Sequence, residues 1–370
     1  MSAMLLIRKV QFLDLEAIAQ LTQGSRATEH AGALLSTDQV QAWYGPVRLL
    51  SLFPNRHQHL FDVYVAQVEG KVEGMIQVSP VNVTQTTWRI DRLIVNDKFS
   101  QEQLGLLLMG HVFEYNRNAR TWILEANIHD KSALALYREN GFQSLAEQSY
   151  WYLCSENLEE LAGQESTPVQ LLPVSNADAH LICELDTATM PPIVRNVYNR
   201  HLDDFRRNYV QRLSDAVGRM VKQQERVFRY VYEPQRRVAI GAFDLYVQKE
   251  PGTGPHRVRL WVHPAYTWLY APLMHTLAKI TRHYPHIGLE VASADYQPER
   301  EAYLASLEAE VVERTLLMSR SVWHKVRESR NPLENLSIPD MLPNWQPARN
   351  PLPNRVQHQE PDSPQPPQTF

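Results

Sequence analysis

A chain of 370 residues, 44% hydrophobic and 21% charged, exceeds one ordinary core and has a globular composition, so two domains plus a tail are expected. Its formal net charge of −4 and pI near 6.4 give no overall field that draws in a polyanion, which argues against nucleic acid as a partner. No apolar run reaches the length of a membrane span, and the only cysteines, Cys154 and Cys183, make neither a disulfide framework nor a metal-ligand cluster; a cytoplasmic protein with no membrane segment and no metal is expected.

The chain opens with LLIRKV, read as a strand, and LDLEAIAQL, read as a helix with Leu13, Ile18 and Leu21 among its apolar positions. FDVYVAQV and KVEGMIQVSPV then form a predicted hairpin turning at Glu69, Gly70 and Lys71. TTWRIDRLIV alternates as a strand, with Trp88, Ile90, Arg92 and Ile94 on one face and Arg89, Asp91, Leu93 and Val95 on the other. LGLLLMGHVFEYNRN is a predicted helix and TWILEAN a strand. DKSALALYRENGF is a short helix in which Asp130 suits the N-cap and Gly141 the left-handed residue past its end, while Tyr137 can pack among Leu134, Leu136 and Phe142. GFQSL and QSYWYLC read as a second hairpin.

The same order then repeats, at an offset that holds nearly constant along the chain. LLIRKVQFLDLEAIAQL lies on VQLLPVSNADAHLICEL with Asp14 opposite Asp178, WRIDRLIVND lies on HRVRLWVHPA, and LALYRENGFQSL lies on REAYLASLEAEV with Tyr137 opposite Tyr303. Two copies of one mixed α/β fold are expected, over residues 1–158 and 168–328, the second lengthened by a helical insert beginning at VRNVYNRHLDDF. Residues 331–370 hold ten of the 24 prolines and few aliphatic positions, so a disordered Pro-rich tail is expected, either solubilising or docking to a polyproline-recognising protein.

Three stretches, IRKVQFLDLEAIAQL, IDRLIV and DKSALALYRENGF, stand in an order and spacing that resembles the GNAT superfamily of N-acetyltransferases over roughly residues 5–155. The resemblance implies two tandem GNAT-like domains and transfer of an acetyl group from acetyl-CoA to a primary amine, on a small molecule or a protein, by direct attack. It implies that the backbone of Leu93, Ile94 and Val95 holds the pantetheine arm and that Tyr137 protonates the leaving thiolate. Asp130 stands where relatives usually carry Asn. Asp91, on the strand two residues before Leu93, is the candidate general base through a water; the other reading of it is a surface ion pair with Arg89 or Arg92. His57, His59, His111 and His129 are further titratable candidates, and Trp43 and Tyr44 are candidates for the acceptor cleft.

The phosphate-binding stretch departs from the family pattern. In SQEQLGLLLM one register places Ser100, Gln103 and Gly105 at the family's three positions, so only the final glycine survives; the other register makes Gly105 the first glycine. In the second copy the corresponding HPAYTWLYAPLM holds Tyr266, Trp268 and Tyr270, and no Gly-Phe follows Tyr303, so an inactive copy is expected. The rival to an enzyme is a non-catalytic tandem module that serves as an acyl-CoA-binding or protein-interaction scaffold.

Overall fold

A computed structural model describes residues 5–24, 61–96, 99, 101–206, 224–249 and 254–322. The strands of the described residues join in one mixed sheet of twelve. The first half supplies β1 (Leu5–Lys9), β2 (Asp62–Val68), β3 (Lys71–Pro80), β4 (Thr87–Val95), β5 (Thr121–Asn127) and β6 (Gln143–Leu153). The second supplies β7 (Leu171–Pro173), β8 (Gln224–Glu233), β9 (Val238–Gln248), β10 (His256–Val262), β11 (Leu289–Ala294) and β12 (Glu310–Ser321). The predicted turn between β2 and β3 is present: Glu69 and Gly70 both have positive φ, 49° and 86°, as a two-residue hairpin turn matched to strand twist requires.

The strand order is β1-β2-β3-β4-β5-β12-β6-β11-β10-β9-β8-β7, a palindrome in which each strand of one half faces its counterpart across the centre. The sixth strands are exchanged. β12 pairs with β5 of the first half, β6 pairs with β11 of the second, and the two run antiparallel to each other between them. Because the repeated halves offer equivalent edges at β5 and β11, each can accept the other's last strand, and two internal edges vanish into one ladder. The hairpin expected at 141–154 is therefore corrected: β6 is a single strand of eleven residues whose partners come from the other half.

Two helices bridge the parallel pairs, α2 (Gln101–Tyr115) between β4 and β5 and α7 (Tyr270–Thr281) between β10 and β11. The others are α1 (Leu15–Gly24), α3 (Lys131–Glu139), α4 (Ser155–Gly163), α5 (Ala179–Thr189), α6 (Pro192–Tyr198) and α8 (Pro298–Ser306). Side-chain alternation along the strands divides each half into two cores. In the first, Ile76, Ile90 and Leu93 pack with Leu104, Leu108 and Val112 of α2 and Leu136 and Tyr137 of α3, whereas Val65, Met75 and Ile94 pack with Ile18 and Leu21 of α1. In the second, Phe243, Leu245 and Leu260 meet Leu273 and Leu277 of α7, and Ala239 and Ala242 meet Ile182 and Leu185 of α5.

The acid that follows each half's first strand shows the repeat at the level of single bonds. Asp14 accepts from both terminal nitrogens of Arg8, at 2.6 and 2.9 Å, and from the Gln11 N–H at 2.7 Å; Asp178 accepts from the Ser175 N–H at 2.9 Å. Of the predicted helical insert, α6 and a 3-10 turn at Leu202–Phe205 are described, residues 207–223 lie outside the described residues, and the insert's last residues, Gln224 to Val227, begin the strand β8 instead of continuing a helix; the Pro-rich tail, Trp43, Tyr44, His57 and His59 also lie outside the described residues. Among the described residues no helix is long and apolar enough to cross a membrane, and no cluster of His, Cys, Asp and Glu could hold a metal ion.

Candidate active site

β4 and β5 pair in parallel at Thr87↔Thr121, Trp88↔Trp122 and Arg89↔Ile123, and the register ends there. β4 continues to Val95, held on its other side by β3 through Ile76↔Leu93, Met75↔Ile94 and Gly74↔Val95. The two strands are thus splayed along the stretch that carries Leu93, Ile94 and Val95.

A bulge lies at the start of the splay. Val78 pairs with Ile90 and Gln77 with Arg92, which leaves Asp91 as an extra residue with no partner in β3. The bulge shifts the alternation by one, so Ile90 and Leu93, three residues apart, both enter the α2–α3 core. The expectation that Asp91 shares a face with Leu93 is therefore corrected: strict alternation holds only for an unbroken ladder.

Asp91 is 2% exposed, and its Oδ1 accepts from Arg89 Nε at 2.7 Å. Arg89, one of the two partners expected from the sequence, is the one found, but Asp91 is buried and Arg89 half-buried rather than both on the surface. Burial pulls the Arg89 guanidinium down, yet the nearby Asp91 and Glu125 outweigh it and its pKa is raised. Glu125 of β5 is itself buried and accepts from the Tyr150 hydroxyl at 2.6 Å and from Thr315 Oγ1 at 3.4 Å. Burial, then the Glu125 charge, holds the Tyr150 phenol in its protonated form, well above its ordinary pKa. Burial and the same charge also raise Tyr198, the last residue of α6.

This cluster draws on β4, β5, β6, β12 and a helix of the second half, so the strand exchange assembles it. Glu125 and Tyr150 were missed in the sequence. A lone acid in the otherwise apolar TWILEAN was the available signal, since a carboxylate is rarely buried without partners.

Tyr137 is 1% exposed, shares the core with Leu93 and meets the Phe142 ring edge-on at 6.1 Å between centroids. Burial, then the Asp130 carboxylate, raises its pKa well beyond the ordinary phenol value. Asp130 caps α3, accepting from the Ala133 N–H at 2.9 Å, and Gly141 ends the helix at φ 79°. α2 begins at Gln101, so Gln103 falls in its first turn and Gly105 beyond it, inside the helix rather than in a loop; Ser100 lies outside the described residues. A Cβ on Gly105 would stand 3.3 Å from both Leu93 Cδ2 and Leu136 Cδ2, so this glycine lets α2 approach β4 and α3. His111 packs against Tyr64 and Tyr115, and His129 is exposed. A cavity of about 700 Å3 opens between β1, α1 and the β2–β3 hairpin, lined by Arg8, Asp14, Gln67, Lys71, Glu73 and Asn96 among others; none of the predicted site residues lines it.

In the second half β10 has no bulge: its register against β9 runs unbroken from Arg257↔Tyr246 to Val262↔Gly241. The caps of α3 and α8, Asp130 and Gln297, are separated along the chain by the same interval as the positive-φ residues that follow them, Gly141 and Glu308. The sequence pairing of Tyr137 with Tyr303 is thereby corrected by one position: Leu304 stands at the place of Tyr137, and the second half has no phenol there.

Residues 59–144 match the model of an acetyltransferase (GNAT) domain. No curated protein sequence gives a match. Among solved structures, a tandem GNAT protein from the clavulanic acid biosynthesis pathway is similar at a TM-score of 0.57 and 15% identity, over 86% of this chain and 98% of that one. A GCN5-related N-acetyltransferase from Sphaerobacter thermophilus is similar at a TM-score of 0.52 and 13% identity, over 86% of this chain and 95% of that one. At such identities the likeness is one of fold, and together with the palindromic sheet and the matched domain it identifies the chain as a tandem protein of the GNAT fold.

Proposed function

We propose that residues 1–158 form an acetyltransferase domain that moves an acetyl group from acetyl-CoA to an amine, and that residues 168–328 form a second domain without that activity, in a cytoplasmic protein. The observation that carries the reading is the splay: β4 runs on from Ile90 to Val95 after its pairing with β5 has ended. Strand backbone without a neighbour suits the amide-bearing arm of an acyl-CoA, which could complete the ladder that β5 leaves off. The first-turn N–H groups of α2 suit a pyrophosphate, although Gly105 serves helix packing and leaves that cradle less glycine-rich than in relatives.

Acetyl-CoA would supply the activated thioester. The acceptor nitrogen would attack the carbonyl carbon as the C–S bond breaks, and the Tyr137 hydroxyl is the candidate donor to the departing sulfur; its raised pKa keeps the O–H in place as a hydrogen-bond donor and makes it a weak acid until the sulfur's charge develops. The proton lost by the amine passes through water to a carboxylate. Asp91 is the candidate, oriented by Arg89, and Glu125 extends the same acidic cluster toward Tyr150. The acceptor is a small-molecule or protein amine.

One observation favours the non-catalytic scaffold as a second reading: Asp91 is already engaged by Arg89, and both it and Tyr137 are buried. The deciding experiment is calorimetric titration with acetyl-CoA, with CoA as competitor, followed by turnover against a panel of amines. Saturable binding, with a turnover number that falls about a hundredfold in Tyr137→Phe while KM for acetyl-CoA holds, supports the transferase. Absence of binding at millimolar acetyl-CoA sinks it.

A further inference from the structure

The second half has a splay of its own, and a side chain fills it. β10 and β11 pair in parallel from His256↔Leu289 to Val258↔Val291 and then part. Beyond that point Arg300 of α8 donates from Nη2 to the Leu260 carbonyl of β10 at 2.6 Å and from Nη1 to the Ala292 carbonyl of β11 at 3.0 Å. The side chain is buried, its guanidinium lies 5.8 Å from the centroid of the Tyr270 ring, and it forms no ion pair among the described residues.

A buried guanidinium without a carboxylate is costly, and what offsets the cost here is the satisfaction of two strand carbonyls that the splay would leave without donors. The repeat identifies the place being filled. The interval that separates the two helix caps also separates Leu93 from Leu260 and Ala133 from Arg300, so the position of the arginine is held in the first half by a methyl group.

We propose that Arg300 occupies, in the second half, the place that the pantetheine arm takes in the first, tying β10 to β11 and closing that half to acyl-CoA. One chain then takes up one acyl-CoA. This rests on the acetyl-CoA reading of the first half, and the two can fail separately.

The test uses the full chain, as wild type, Arg300→Ala and Arg300→Lys, with acetyl-CoA counted by native mass spectrometry and amide exchange followed by peptide. The wild type should carry one acetyl-CoA, with protection gained around Leu93–Val95 and unchanged around Leu260–Val262. Exchange at residues 260–262 and 292–294 should quicken by about tenfold or more in Arg300→Ala, which makes neither bond, and by less in Arg300→Lys, since a lysine cannot span two carbonyls. Two acetyl-CoA molecules on the wild type would overturn the proposal and leave the transferase reading standing. None on any variant would overturn the transferase reading and the count of one, while unchanged exchange in Arg300→Ala would overturn the tie itself.

Discussion

The two halves share a strand order, a division into two cores and an acid after the first strand, yet differ where chemistry would take place. The first has a bulge at Asp91, an alanine at 133 and a tyrosine at 137; the second has an unbroken β10, an arginine at 300 and a leucine at 304. Leu93 and Leu260 show how small the difference is. Both sit in the splay at equivalent register, and they differ in what faces them from the helix after the neighbouring strand: an alanine at 133 in the first half, and in the second Arg300, which bonds to the Leu260 carbonyl. A fold tolerates such changes because packing depends on volume and pattern, whereas a substrate site depends on individual atoms.

The contrast can be broken most severely at Arg89. Arg89→Met leaves Asp91 buried without its cation and should cost about 3 kcal/mol in urea unfolding. The second half has no residue equivalent to Asp91, so Arg257→Met should cost well under about 1 kcal/mol, its partner Glu290 being met by a half-exposed side chain.

His256, opposite Trp88 in the repeat, sharpens the comparison through pH. It is fully buried, its Nδ1 accepts from the Gln248 N–H at 3.0 Å, and burial lowers its pKa from 6.5 to about 4. The unfolded chain therefore binds the proton first: the contribution is complete above pH 6.5 and is lost as pH falls toward about 4. The loss should approach roughly 3 kcal/mol. Unfolding midpoints of the wild type and His256→Asn, which keeps an acceptor for Gln248, should diverge across that window and run parallel above it.

Gly288 tests the strand exchange. A Cβ there would collide with the Tyr152 ring and the Leu153 carbonyl of β6, whereas the first half carries Thr121 at the equivalent place, opposite Ser321. Gly288→Ala should cost about 2 kcal/mol, read as a lower denaturant midpoint; Thr121→Ala should change it by less than about half of that.

Leaving aside the control substitutions, the smallest expected effect is at Tyr150. Tyr150→Phe removes one of two hydrogen bonds to Glu125 and should destabilise by about 1 kcal/mol. If the cluster takes part in acetyl transfer, the pH profile of kcat/KM should move as well, a shift that a purely structural role would not produce.

Much of the fold was legible in the sequence because it is encoded locally. Glu69-Gly70 marks a hairpin through its positive φ values, Asp130 and Gly141 delimit a helix through hydrogen bonds spanning a few residues, and the TWILEAN strand is read at its true bounds. The placement of the candidate site's residues was legible in part. Leu93–Val95 lie along the splay, Tyr137 is buried beside them, and Asp91 has the arginine partner that was foreseen. Glu125 and Tyr150 went unread because 25 residues separate them, and they meet only after β12 has come between their strands.

The sequence by itself determined most of the elements, the tandem repeat and the helix that presents Tyr137, since periodicity, capping and turn chemistry act over short distances along the chain. The tertiary structure alone decided the bulge that turns Asp91 from the face of Leu93, the use of Gly105 for helix packing, the exchange of β6 and β12, and the arginine that fills the second splay. Each of these depends on which strand edge meets which partner, and two equivalent edges in one chain leave that choice to the packing of the whole.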